Sequence, residues 1–478
     1  MGARASGLGL LLGAVVLACG CGGDGKLAGV DDTGPARGDT AAPPGDTAQG
    51  QRPAGLSVRA DAKIVGENGG DWAGAGLASG DLDGDGLADV AVGAPRHWEA
   101  GGMAYAVFSP VHGRFRLAHA DVALTGDSHL CRLGAAIATG DVDGDGYQDL
   151  LVGGQGCGLQ SEVGHLLRGP LLPSATLDDA ITTYTGRTDL LGKAALADVN
   201  ADGLDDLAIA LPSPGEVRVE IHLSPTDPSI HCGNADGVLE GEGLSDYSGW
   251  GLATGDVDGD GLQDLLIGAP TADMPGQPST WNSGRAYVVL GPATGTLSLA
   301  AADARLSSGG VGDKVGEGVA LGDLDGDGLA DLAVSAQDGP TSTSQEGMVY
   351  LLTSPVTGDV DLADAPTKLV GETSEDWAGS ALAAGDVDGD GRDDLLIGSD
   401  PFEPAGPQAN AVYLVMTVRA GTVSLGDADV VLRGRIPGDR VGAEVGLGDL
   451  DGDGRQDLLI GAPGNHAGAA YVVLASSL

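Results

Sequence analysis

Asp81, Asp83, Asp85 and Asp89 place four carboxylates within nine residues, in the run Asp81-Leu82-Asp83-Gly84-Asp85-Gly86-Leu87-Ala88-Asp89. Four negative groups so close together repel one another unless a cation lies among them. Oxygen donors at positions 1, 3, 5 and 9 are the hard ligands that suit calcium, and the main-chain carbonyl of position 7, here Leu87, adds another. The glycine at position 6 permits the sharp positive-φ turn that directs the first three carboxylates inward. The chemistry is that of a cation cage.

The pattern recurs six more times in one register. Its ligand positions are Asp141, Asp143, Asp145, Tyr147 and Asp149, then Asp198, Asn200, Asp202, Leu204 and Asp206, then Asp256, Asp258, Asp260, Leu262 and Asp264. They continue with Asp323, Asp325, Asp327, Leu329 and Asp331, with Asp386, Asp388, Asp390, Arg392 and Asp394, and with Asp449, Asp451, Asp453, Arg455 and Asp457. Position 7 varies in chemistry, as expected of a residue used through its main chain. In the third copy Asn200 replaces an acid and Ala201 a glycine, so looser binding is expected there. Asp-Gly pairs alone make turns, but seven copies of the whole pattern point to as many as seven bound Ca2+ ions.

An EF-hand shares the first nine positions but needs a bidentate Glu at position 12 and flanking helices. Position 12 here is Val92, Val152, Ile209, Ile267, Val334, Ile397 or Ile460, inside apolar runs such as Asp457-Leu458-Leu459-Ile460-Gly461. Such runs read as buried strands, so each loop is expected at the tip of a β-hairpin. Every unit also carries a third strand, as at Ala286-Tyr287-Val288-Val289-Leu290, and a fourth, as at Ala428-Asp429-Val430-Val431-Leu432. Four short antiparallel strands repeated seven times predict an all-β fold, a seven-bladed β-propeller. The last unit runs only through its third strand, whereas residues 60–66 form a fourth-type strand with no unit before it. Pairing the two closes the ring and removes two sheet edges.

The units resemble FG-GAP repeats, the blades of the propeller at the head of integrin α subunits. Gly74, Gly134, Gly192, Gly249, Gly316, Gly379 and Gly442 match the first glycine of that motif, although Ala73, Leu133, Leu191, Ser248, Val315, Ala378 and Val441 replace its aromatic. Gly-Ala-Pro is intact at Gly93, Gly268 and Gly461. The resemblance covers residues 56–478 and implies the propeller fold and calcium loops. Integrin propellers carry such loops in only some blades, so the resemblance does not bring heterodimer partnership with it.

Composition narrows the function classes. The 478 residues carry a formal net charge of -45, with acids gathered in the loops and no basic stripe, which argues against nucleic acid and anionic membrane surfaces as partners. Aromatics make up only 3% of the chain and glycines number 85, so the core must be Ala, Val, Leu and Ile packed between many turns.

Residues 1–18 have the build of a secretory signal, with Arg4 before an apolar run too short to span a bilayer. Val16-Leu17-Ala18-Cys19 resembles a bacterial lipoprotein signal, which makes Cys19 the expected lipidation site and a lipid anchor the expected membrane attachment. The expected location is the outer membrane or cell surface, with plain secretion as the alternative. Residues 19–55 lack large apolar side chains and read as a disordered tether. Export permits a disulfide between Cys131 and Cys157, which flank the first and second strands of the second unit, leaving Cys232 over.

If the cation loops occupy one face, the opposite face carries Trp72, Trp98, Tyr247, Trp250, Trp281 and Trp377. Aromatics on loops are typical anchors for a glycan or a protein partner. No Ser-His-Asp, HExxH or phosphate-binding glycine loop stands out. The expectation is therefore a monomeric, non-catalytic recognition or adhesion module. A hydrolase or lyase acting on polysaccharide or lipid, and a structural envelope component, are the alternatives.

Overall fold

The computed structural model describes residues 60–478 apart from 98–100, 127–131, 155–160, 187–192, 214–215, 226, 232, 244, 274–281, 311, 340–344, 401–409, 437 and 465. Seven sheets of four antiparallel strands follow one another along the chain. The fourth blade shows the plan with strands Gly251–Gly255, Asp264–Ala269, Arg285–Val289 and Ala304–Ser307. Its acidic loop joins the first two, at a hairpin tip as the sequence predicts. The first strands pack against one another in succession, and that of blade 7 (Val445–Gly448) meets that of blade 1 (Gly76–Gly80). The result is a closed ring.

Burial explains the residue choice along each blade. The second and third strands are buried on both faces, so they read as continuous apolar runs rather than alternating ones. Outer strands alternate, as in Val122–Thr125, because one face still meets solvent. Seven apolar clusters fill the molecule, each lying between two neighbouring blades. A blade therefore has no core of its own. Tyr105, Tyr287, Tyr413 and Tyr471 on the third strands are fully buried, and the first three donate hydrogen bonds to Glu67, Glu242 and Asp376. Those bonds satisfy hydroxyls that would be costly to bury alone.

The ring closes as the sequence predicts. Ala62–Val65 pairs antiparallel with Ala469–Val473, matching Ala62 to Val472 and Ile64 to Ala470. Asp61 fastens the seam by accepting hydrogen bonds from the Leu474 amide and the Ser477 hydroxyl, both at 3.0 Å.

One element goes beyond the sequence reading. In five sheets a short fifth strand from the next blade lies parallel to the outer strand, as Gly358–Asp361 does against Ala304–Ser307. It opens on a glycine at positive φ, and Leu362 follows as a fully buried plug. These strands hide outer edges and strap successive blades together.

Candidate cation loops and the opposite face

The seven loops fold alike, each around its first and last aspartates. In the first loop Asp81 accepts hydrogen bonds from the amides of Gly84 at 2.7 Å and Gly86 at 2.9 Å, which curls the chain about one carboxylate. Asp85 and Leu87 donate their amides to Asp83 and Asp85. Asp89 is buried, and its two oxygens take the amides of Leu82 and Ser109 at 2.9 and 2.7 Å. The same double clamp recurs at Asp149, Asp206, Asp264, Asp331 and Asp457. Position 9 thus has a structural task the sequence reading did not assign: it ties the loop to the segment leaving the third strand.

Carboxylate oxygens converge within 4.8 Å of one another at Asp81, Asp83 and Asp85, and again at Asp256, Asp258 and Asp260. In three other loops the converging group includes position 9, as at Asp141, Asp143 and Asp149. Ligands at about 2.4 Å from a calcium ion lie at most about 4.8 Å apart, so the donor sets fit a hard divalent cation in both spacing and chemistry. Electrostatics agrees. Burial, together with the neighbouring carboxylates, pushes Asp89 and Asp394 up to about 7 and Asp149, Asp206, Asp331 and Asp457 up to about 6, against the lowering pull of their amide donors. Positive charge is what such a site lacks.

The loops are joined in a circle. The position 8 amide of each loop donates to the position 1 carbonyl of the loop before it, at 2.8 to 3.1 Å in all seven cases. Gln148 reaches Asp81, Asp393 reaches Asp323, and Ala88 reaches Asp449 across the closing seam. Position 1 and position 8 are unremarkable as a sequence pair; only the ring brings them together.

At the other end of the innermost strands from the acidic loops stand Trp72, Tyr247 and Trp377. They share one register with Arg132, Lys314 and Arg440, and all six have φ between 44° and 59°. Bulky residues seldom adopt the left-handed region, and such strain gathers at functional sites. The glycine two residues on explains the turn: the Gly74 and Gly442 amides bond to the carbonyls of Gly93 and Gly461. A Cβ on Gly74 would stand 2.3 Å from the Ala469 oxygen.

Cations and aromatics interlock along this rim. The Arg96 guanidinium stacks 3.3 Å from the centre of the Trp72 ring, and Arg440 approaches the same ring at 5.7 Å while bonded to Asp400. Lys314 lies 5.5 Å from the Trp377 ring and 3.2 Å from Asp338. Trp250 is among the few exposed large apolar residues, with Tyr247 edge-on at 6.0 Å. Lys193 and Glu317 occupy the same register as Trp250 in the flanking blades. Lys193 bonds Glu444 of blade 7 at 2.5 Å, and because blades 3 and 7 are not neighbours, this pair crosses the ring axis.

Trp98 and Trp281, together with Cys19, Cys131, Cys157 and Cys232, lie outside the described residues. Among the described residues, no helix is long and apolar enough to cross a membrane.

A family model described as FG-GAP repeat matches residues 73–102, 133–156, 248–289, 315–352, 378–415 and 441–473. The third loop, with Asn200 and Ala201, falls outside those segments. The chain is 31% identical over 237 residues to Integrin alpha-PS2 of Drosophila melanogaster, covering 47% of this chain and 16% of that protein. It is 29% identical over 233 residues to Integrin alpha-V of Gallus gallus, covering 47% and 21%. It is also 31% identical over 233 residues to Phosphatidylinositol-glycan-specific phospholipase D of Mus musculus, covering 45% and 27%. Each match spans well under half of the relative's length.

Proposed function

Because the chain carries six FG-GAP repeats on a seven-bladed β-propeller, we propose that it is an exported, calcium-loaded recognition or adhesion module. Its partner is a glycan or a protein met by the face opposite the acidic loops. One observation supports this most: the acids are gathered at one end of the innermost strands, while the other end presents left-handed aromatic and cationic residues. The calcium loops hold the scaffold rigid, and the opposite rim does the binding. Likeness to two integrin α subunits supports an adhesive role.

The test is a screen of the mature protein against cell-envelope glycans and proteins, with calcium and with chelator. Calcium-dependent capture of a ligand recovered unchanged is the expected result. Trp250→Ala should then weaken that capture by about tenfold or more, as loss of an exposed aromatic anchor does, with little effect on the melt. Equal capture by the variant would move the binding surface elsewhere.

A second reading, hydrolysis or lysis of a polysaccharide or lipid, draws on the likeness to the phospholipase D. Turnover of the captured ligand would favour it, and silence in both conditions would favour a structural envelope role. Attachment is tested separately. Cys19→Ala should move the protein from the membrane to the soluble exported fraction and abolish fatty-acid labelling; labelling that persists would exclude Cys19 as the anchor.

A further inference from the structure

Six of the seven acidic loops are overlaid by the loop that follows them. The Tyr147 ring lies 2.6 Å from where a Cβ on Gly84 would stand, and Arg392 lies 3.1 Å from the same point on Gly326. Leu87 covers Gly452 across the closing seam in the same way. At all six loops with glycine at position 4, a position 7 side chain of the following loop rests on that glycine; the third loop has Ala201 there.

We propose that each cation site is completed by the following blade, so that positions 7 and 8 of one loop position and tune the ion of the loop before it. The inference rests on the reading of these loops as cation sites. Three observations meet at the same junction. The position 8 amide bonds to the carbonyl of the residue whose carboxylate opens the preceding site. That amide belongs to the peptide whose carbonyl is the position 7 ligand, so an ion bound in one loop polarises the bond to the next.

Position 8 side chains add charge at the same place. Asp205 accepts the Asp141 amide at 2.8 Å and Asp393 the Asp323 amide at 2.9 Å, giving the second and fifth loops an extra carboxylate from their neighbours. Position 7 adds the opposite charge at the fifth loop. Arg392 lies over the fifth loop with its Nε 3.1 Å from the Gly326 Cβ position, and a guanidinium there opposes a divalent ion; Arg455 lays only its methylenes over the sixth and turns its guanidinium to Asp453 of its own loop.

Arg392 gives the cleanest test, because its side chain is exposed and its own loop uses only its main chain. Calcium uptake by the full chain is measured by titration calorimetry for the parent and for Arg392→Leu. The substitution should tighten one site by roughly threefold to tenfold, the range expected for a solvent-screened charge. The gain should vanish when the fifth loop is disabled by Asp325→Ala and persist when the sixth is disabled by Asp388→Ala. The reverse pattern, or no gain in any background, overturns the proposal. A parent chain that takes up no calcium overturns the cation reading itself, an outcome visible before any substitution is made.

Discussion

Stripping calcium from the protein should lower its melting temperature by roughly 20 °C. The size follows from linkage: a ligand held only by the folded state, at about a hundred times its dissociation constant, stabilises by about 2.7 kcal/mol per site. Seven such sites give about 19 kcal/mol. Unfolding entropy near 2.1 cal/mol/K per residue, over about 420 folded residues, converts that into a shift of about 20 °C. The structure gives the effect its cause. At least five loops pack carboxylate oxygens within 4.8 Å of one another, and buried aspartates such as Asp89 and Asp394 pay a desolvation penalty that a cation offsets. Melts by circular dichroism in millimolar calcium and in excess chelator measure it directly. Coincident curves would refute the stabilising role, and a shift of only a few degrees would mean that most loops bind weakly.

Ile64→Asp should cost about 4 kcal/mol or more. Ile64 is fully buried, in the strand that completes the last blade, and its cluster contains Val90, Val92 and Tyr105 of blade 1 and Leu459 and Val472 of blade 7. An unpaired carboxylate there loses the apolar transfer energy and adds the penalty of burying a charge. Because every core lies between blades, damage at this seam also removes the support of two blades at once. Ile64→Val removes one methylene and should cost only about 1 kcal/mol. Denaturant melts of the two variants give the comparison, and an Ile64→Asp midpoint within error of the parent would show that the closing strand is dispensable.

Much of this was legible because repetition amplifies weak signals. A single Asp-Gly run is ambiguous, but seven in one register, each followed by an apolar run with Val or Ile at position 12, determine both the hairpin and its acidic tip. Residues 60–66 could be assigned to the last blade because the strand pattern left one place unfilled. Other features carried no such signal. Gly358–Asp361 is exposed along most of its length and short, so its composition does not distinguish a strand from a loop. The left-handed register of Trp72, Arg132, Tyr247, Lys314, Trp377 and Arg440 was hidden by its chemical variety. What these residues share is a backbone angle set by the glycine that follows two positions later.

The sequence by itself determined the local chemistry: which residues make acidic loops, which runs are buried on both faces, and how many blades there are. These follow from composition and periodicity, which act over a few residues at a time. Only the tertiary structure decided that the loops form one circle, with Gln148 bonded to Asp81 and Ala88 to Asp449, that Arg392 rests on Gly326, and that Lys193 meets Glu444 across the axis. Those partners lie from about sixty to several hundred residues apart and share no pattern. Their meeting depends on ring closure, which fixes where each blade ends and the next begins.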